Sequence, residues 1–424
     1  MKTIESAYTH WRSSAFTSSW LLYAGYYLCR ENLRIVRLLP GEPFQANTLP
    51  WLLSAFAFAF ALGNFIGGTW ADAKTPRIVA LTGGLIAAIA TSAMLLTHSL
   101  HGILCLQMIN GLGQGMGFPA LLKLLATWFA RRERPMILAW WSASFSLGGV
   151  FAANLALWCG TTGFLLAAWG WHRSLMLPPL MLVGLSLWFY LTTRDKPEQV
   201  DLASISPVSP PSADWHGGWR SVLSNRHVRT IAAMYFFLKM TRYGLVFWLP
   251  LYMMQTVHTS ESRAASSVSL LEFFGFVGAL IAVQVSERSF GGRRYPVAAL
   301  MLFSAGFLAL LEPLIAQLGW WASTFNIAAI GLMIYGVDTL MVQVAVLESV
   351  PISHAARAIA TANGTGSLGQ LLAPLLVTWI AHYFGWDNLF NLFLGTSLIA
   401  AAIVAPRWHD EMALPSTTAT SSIE

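Results

Sequence analysis

Two arginines stand where arginine is costly. Arg30 lies in the apolar stretch 20–32, Trp-Leu-Leu-Tyr-Ala-Gly-Tyr-Tyr-Leu-Cys-Arg-Glu-Asn, and Arg242 in the stretch 236–244, Phe-Phe-Leu-Lys-Met-Thr-Arg-Tyr-Gly. A cation centred in hydrocarbon costs about 2.5–3.5 kcal/mol on insertion scales, so it needs a partner or a function. The two arginines are 212 residues apart in a chain of 424, as equivalent positions of two repeats would be. Each planar guanidinium donates two parallel hydrogen bonds, which suits a tetrahedral oxyanion held between them. Binding one anion from both sides would also draw the two halves together.

Lys239 precedes Arg242 by three residues and so shares its helix face. Two cations aimed at one volume suit a dianionic ligand, or an acid that compensates one of them. Lys123 is the fourth intramembrane cation, and it follows Gly111-Leu-Gly-Gln-Gly-Met-Gly-Phe-Pro. That small-residue run reads as close helix packing rather than a phosphate loop. The acids within apolar segments are Glu31, Glu272, Asp338 and Glu348. Asp338 lies 215 residues after Lys123, its counterpart across the repeat, and is open to three roles: pairing with a lysine, binding an ammonium, or carrying a proton. Plainer readings stand beside these. In these the first helix ends by snorkelling Arg30 to the surface, Lys239 sits in a structural salt bridge, and Glu272 is structural.

These charges need a membrane scaffold. The chain is 56% hydrophobic and 10% charged, with a mean hydropathy of +0.57, too little polar residue to cover a soluble domain. Helical crossings need about 20 apolar residues. Twelve such segments are expected, near 16–39, 47–70, 77–97, 101–129, 135–158, 164–192, 230–256, 262–286, 295–315, 322–349, 356–382 and 387–405. This gives an all-α membrane protein of two pseudo-symmetric six-helix bundles, 1–193 and 230–406, joined by a Ser/Pro-rich polar linker at 194–229 and followed by a polar tail at 407–424.

The net charge of +6 comes from short basic clusters between apolar runs, which orients the chain and gives no nucleic-acid surface. With both ends on one side, seventeen Lys and Arg gather there against four opposite, so the termini and linker are expected in the cytoplasm, with the protein in the inner or plasma membrane. Cys29, Cys105 and Cys159 stand singly in apolar segments, so neither a disulfide framework nor a metal site is indicated, and no cofactor is expected. Residues 1–14 hold no apolar stretch followed by a cleavage site, so no cleaved signal peptide is expected. There is no nucleophile triad, metal cluster or nucleotide loop, so an enzyme is not expected.

The loop Gly68-Thr-Trp-Ala-Asp72-Ala-Lys-Thr-Pro-Arg77 and its degenerate copy around Glu287 and Arg288 resemble the gating loops of the major facilitator superfamily. There the acid and base contact neighbouring helix ends and hold one conformation shut. The chain as a whole resembles the organophosphate:phosphate antiporter family of that superfamily, which includes glycerol-3-phosphate and hexose-6-phosphate transporters. The motifs are Tyr26-Tyr-Leu-Cys-Arg30-Glu-Asn32, Arg242-Tyr-Gly244, Trp248-Leu-Pro-Leu-Tyr252, Trp171-His-Arg173, Arg194-Asp-Lys-Pro197 and Phe384-Gly-Trp-Asp387. The resemblance implies the facilitator fold, with Arg30 and Arg242 as the phosphate-binding pair and Lys123 as the basic residue of helix four. It puts Tyr23, Tyr27, Tyr335 and Gln370 on the cavity wall.

The departures bear on substrate. A histidine of glycerol-3-phosphate members falls at Phe145, a helix-two lysine at Asn64, and a tyrosine one turn before the second arginine at Lys239; Asp338 is also foreign to that pattern. Lys239 with Asp338 would fit a ligand with a second polar end, either a carboxylate on the lysine or an amine on the aspartate. The expected partners are therefore a small phosphorylated substrate, inorganic phosphate and the lipid bilayer, bound by a monomer. The alternatives are a proton- or sodium-coupled organic-anion symporter and a membrane sensor of a phosphorylated ligand.

Overall fold

The computed structural model describes residues 2–36, 48–97, 99–162, 167–205 and 218–411. Arg37, the middle of the linker and the end of the polar tail lie outside these residues. The first half is built of α1 (Lys2–Tyr26), a short α2 (Asn32–Val36), α3 (Leu49–Ala73), α4 (Pro76–Ala93), α5 (Leu100–Trp128), α6 (Arg134–Trp141), α7 (Ala143–Thr161) and α8 (Arg173–Thr192). A short α9 (Trp219–Ser224) precedes the second half. This holds α10 (Arg226–Gln255), α11 (Glu261–Ser289), α12 (Arg294–Ala316), α13 (Trp320–Val337), α14 (Val346–Glu348), α15 (Ala355–Tyr383) and α16 (Leu389–Val404).

Helix starts follow local chemistry. Prolines Pro50, Pro76 and Pro135 occupy first-turn positions of α3, α4 and α6, where a missing N–H is harmless and the fixed φ suits the helix. Asn225 caps α10 by accepting from the His227 and Val228 amides at 2.9 and 3.1 Å, satisfying donors that a helix end leaves orphaned.

Among the described residues, nine spans are long and apolar enough to cross a membrane by length and composition. The helices outside that set are α1, α5 and α10, which lead into Arg30 or carry Lys123, Lys239 and Arg242. With them the fold has its expected crossings. Large apolar side chains such as Phe303, Leu314, Phe325 and Trp379 point outward, a surface suited to hydrocarbon.

The first crossing is not the continuous helix that its apolar pattern leads one to expect. After Tyr26 it tightens into a 3₁₀ turn at Tyr27–Cys29, and Arg30 follows before α2 begins. Backbone freed at such a break must be satisfied within the protein. The Cys29 carbonyl accepts from Asn110 Nδ2 at 2.7 Å, and Asn32 Nδ2 donates to the Ser174 carbonyl at 2.6 Å. The break swings Arg30 towards α5.

The glycine run of α5 packs helix on helix. A Cβ at Gly111 would stand 2.5 Å from the Phe56 carbonyl oxygen, and one at Gly115 2.2 Å from that of Phe60. Backbone cannot yield at that distance as a flexible side chain would. Gly115→Ala is therefore expected to push α3 and α5 apart and destabilise the protein by about 1–3 kcal/mol, read as a lowered melting temperature in detergent. It should also disturb Gln114 and Phe60, which flank Arg30.

The halves meet along α3 and α15. Gly68 lies so close to α15 that a Cβ there would be 2.5 Å from that of Ala360. Asn363 Nδ2 donates to Asn64 Oδ1 at 2.8 Å, and Ser54 Oγ to the Leu371 carbonyl at 3.0 Å. The end of this seam near Gly68, beside the Lys/Arg-rich loops, is called the basic face below.

Candidate functional site between the two halves

The cations expected in the membrane separate into two places. Arg30 and Arg242, with Lys239, come together at the centre. Lys123 does not join them. Its ammonium donates to Asp72 Oδ1 at 2.8 Å and to the Ala71 carbonyl at 3.0 Å, which places it at the basic face. The small-residue run carries α5 past the cavity, and Lys123 emerges five residues beyond Phe118, the α5 residue that lines it.

At the centre, a cavity is lined by Tyr23, Tyr27, Phe60, Phe145, Tyr235, Lys239, Arg242, Asp338 and Gln343 among others. Its volume is about 20 Å³, room for about one water molecule and not for a phosphate ester. A substrate of that size would require the halves to part. The lining comes from α1, α3, α5 and α7 on one side and α10, α15 and a π-helical stretch at Asp338–Ala345 on the other. Such wide-turn segments are common at functional sites.

Arg30 donates from Nε to Gln114 Oε1 at 3.0 Å. Its guanidinium lies over the ring of Tyr27 at 4.4 Å and near those of Phe60 at 5.2 Å and Phe56 at 5.5 Å. One of its terminal nitrogens is buried without a hydrogen-bond partner. Glu31 is not its counter-ion, since it pairs with Arg34 at 3.2 Å.

Arg242 donates from a terminal nitrogen to Asp338 Oδ2. It stacks on Tyr335 at 4.0 Å and reaches across the halves to Phe145 at 5.0 Å, so Phe145 serves as a cation–π surface. The second oxygen of Asp338 accepts from Tyr235 OH at 2.7 Å. Asp338 thus forms its ion pair with the arginine. Lys239 is buried and forms no salt bridge among the described residues; it donates to Ser367 Oγ at 2.9 Å. Its ammonium stands near the rings of Phe60 and Tyr235, each at 5.2 Å, and of Tyr243 at 5.7 Å.

The remaining expected wall residues are spread out. Tyr23 and Tyr27 line the cavity. Tyr335 stands behind Arg242 and donates to Glu272 Oε1 at 2.5 Å. Gln370 is buried one turn beyond Ser367 and is not among the lining residues. Sequence reading missed Gln114, Ser367 and Phe60, which orient the cations but carry no charge to mark them.

The gating residues also divide. Asp72, whose side chain is wholly buried, accepts from the Ala356 and Arg357 amides of α15 at 3.1 and 3.0 Å and from Lys123, and its carboxylate forms an ion pair with the Arg357 side chain at 3.5 Å. Arg77 stays within the first half, where its amide donates to Asp195 Oδ1 at 2.8 Å and its guanidinium to the Thr193 carbonyl at 2.7 Å. In the second half Glu287 pairs with Arg294 at 2.6 Å, and Arg294 also grips Glu348 through two bonds of 2.8 and 3.0 Å. Arg288, expected in that role, is exposed; Arg294, at the helix start, has the buried position that an ion pair of this kind needs. Arg131 then donates to the Glu348 carbonyl across the halves at 3.1 Å. On the same face Arg12 donates to Glu133 at 2.5 Å and holds that carboxyl below the usual carboxylate range.

A profile of the Major Facilitator Superfamily matches residues 14–342. The chain belongs to this superfamily. Among the curated relatives of this facilitator is a probable hexose phosphate transport protein of Chlamydia pneumoniae, 26% identical over 96% of this chain and 93% of that protein. Another is the glycerol-3-phosphate transporter of Bacillus subtilis (strain 168), 26% identical over 96% of this chain and 94% of that protein. The solved structure of the proton:xylose symporter XylE aligns over 95% of this chain and 96% of its own, with a TM-score of 0.71 and 12% identity, a likeness of fold alone.

One buried acid of the facilitator lies away from the cavity and was not among the acids expected from sequence. Glu312 of α12 accepts from Ser323 Oγ, from Asn326 Nδ2 at 2.7 Å and from Tyr252 OH at 3.3 Å, tying α10, α12 and α13. Glu312→Ala is expected to leave three buried donors without their acceptor, each worth about 1–3 kcal/mol. A large drop in melting temperature should follow, with Glu312→Gln much milder.

Proposed function

We propose that this facilitator is a secondary transporter of phosphorylated small molecules, importing an organophosphate or organophosphonate by exchange for inorganic phosphate. It works as a monomer in the inner or plasma membrane, with its termini and basic face in the cytoplasm. The observation that carries the reading is the unpartnered, buried guanidinium nitrogen of Arg30, which lies behind the rings of Tyr27 and Phe60 that wall a cationic cavity built from both halves. A buried charged donor lacks water to bond and calls for an anion. Because both halves supply the walls, a ligand there is enclosed when they close on it, which is the physical basis of alternating access. The relatives, a probable hexose phosphate transport protein and a glycerol-3-phosphate transporter, support the same substrate class.

The test is uptake of labelled inorganic phosphate into phosphate-loaded proteoliposomes, competed by glycerol-3-phosphate, 3-phosphoglycerate, glucose-6-phosphate and 2-aminoethylphosphonate. Exchange with competition by one of these supports the reading, and the best competitor names the substrate. Uptake that ignores internal phosphate and follows a pH gradient would sink the exchange mechanism.

A further inference from the structure

The organic part of a phosphorylated substrate needs contacts of its own, and one side chain of the central cavity stands ready to supply them. Gln343 is fully buried and lines the cavity, yet its amide oxygen accepts from no donor among the described residues. Its amide nitrogen makes only a long bond, 3.4 Å, to Thr339 Oγ1. Buried polar groups are nearly always paired, and donors around this one are committed elsewhere. Arg242 and Tyr235 both donate to Asp338, and Asn363 gives its amide to Asn64 across the seam. The π-helical stretch explains how Gln343 reaches the cavity. In a segment bonded i→i+5, residues five apart stand about one turn apart, so Gln343 shares a face with Asp338.

Lys239 lines the same cavity. It donates to Ser367 Oγ, whose own proton goes to the Asn363 carbonyl at 2.8 Å, and an ammonium has three N–H groups to give. The charge of Asp338 acts on Lys239 as well as on Arg242, so the lysine serves here as a hydrogen-bond donor rather than as an unanswered charge. Both residues stand on the basic-face side of the central ion pair. Lys239 precedes Arg242 by three residues on α10, which starts at that face. Gln343 follows Asp338 by five on the way to Glu348, whose carbonyl Arg131 meets there. An acceptor without a donor, and a donor with N–H groups to spare, match a hydroxyl, which gives one hydrogen bond and takes others. A carboxylate would set oxygen against the Gln343 oxygen, and an ammonium would find both oxygens of Asp338 engaged and two cations near it. We propose that Gln343 is a specificity-determining residue, reading a hydroxyl on the organic part of the substrate while the phosphate is held deeper, at the level of Arg242. The inference rests on the proposed transport of phosphorylated compounds and names the residue that tells one of them from another.

The experiment compares wild type with Q343L and Q343N in proteoliposomes, each first checked for a monodisperse profile in detergent. Exchange of labelled inorganic phosphate is competed by two hydroxylated esters, glycerol-3-phosphate and glucose-6-phosphate, and by three esters without a hydroxyl: propyl phosphate, phosphoglycolate and phosphoethanolamine. In wild type, one of the hydroxylated esters should compete at least about tenfold better than each of the other three, because a site built to bond a hydroxyl is left unpaired by an analogue that lacks it. Q343L should weaken that ester by about ten- to 100-fold and leave inorganic phosphate and propyl phosphate within about threefold of wild type. Q343N keeps an acceptor on a shorter arm, so its loss should run in the same direction and be smaller. If Q343L does not fold, the wild-type ranking and Q343N decide. Three results overturn the assignment while leaving phosphate exchange standing: a wild type that takes any ester without a hydroxyl as well as the hydroxylated ones; a variant that keeps the wild-type ratio of hydroxylated ester to propyl phosphate; and a variant that loses inorganic phosphate as severely as the ester. A wild type that does not exchange phosphate at all overturns the transport reading with it.

Discussion

Arg30→Lys is expected to abolish phosphate exchange, by about 100-fold or more, with little change in melting temperature. The guanidinium does two things at once. Its Nε is held by Gln114 and its plane lies over the ring of Tyr27, which leaves the buried terminal nitrogen free to take an anion. A lysine has one nitrogen on a flexible stem, and it cannot keep the Gln114 bond while offering a second, oriented donor. Losing one or two charge-assisted hydrogen bonds at about 1.5–3 kcal/mol each gives the expected factor, since 1.4 kcal/mol is about tenfold. The check is exchange in proteoliposomes beside a thermal melt with and without phosphate. Phosphate should protect wild type and not the variant. An Arg30→Lys protein that exchanges phosphate at the wild-type rate would show that Arg30 serves the break in the first crossing rather than the ligand.

What the sequence disclosed follows from where charge is rare. Arg30, Lys239, Arg242 and Asp338 stood out because each is an anomaly in an apolar run, and the repeat distance paired the arginines. The positions of the crossings were legible for a similar reason, as length and hydropathy set them. Partnership was not legible. Whether Asp338 meets Lys239 or Arg242 depends on a π-helical stretch that begins at Asp338, and no periodicity announces an extra residue in a turn. The break at Arg30 was hidden because Leu33, Ile35 and Val36 continue the apolar face beyond it. Lys123 was misplaced by counting it with the other membrane cations. The length of α5 carries it to the basic face, where Asp72 waits. Glu312 escaped notice at the very edge of an expected span, yet it is fully buried, because its partners are neutral and lie on two other helices.

Asp72→Ala is expected to open the basic face. In the closed arrangement the carboxylate, with no exposed side-chain surface, collects Lys123 from its own half and the first amides of α15 from the other. An acid at a helix N-terminus meets both free N–H groups and the positive end of the helix dipole. When the halves part on this side, those amides and the carboxylate regain water, so the interaction favours only the closed form. Removing one partner of a buried ion pair costs about 3–5 kcal/mol, and even the lower figure shifts a two-state equilibrium by roughly 100-fold. The hydrogen bond from Arg131 to the Glu348 carbonyl and the seam of Asn64 with Asn363 remain, so the variant should populate both states rather than lock open. Spin labels at Lys74 and Ser353, both exposed and on opposite halves of this face, report the change without disturbing packing. Their distance distribution should gain a component longer by several ångström in Asp72→Ala, and Arg77→Ala, whose bonds stay within the first half, should lack it. If Asp72→Ala leaves the distribution as in the parent, the closure rests on the α3–α15 seam alone and the loop is no gate.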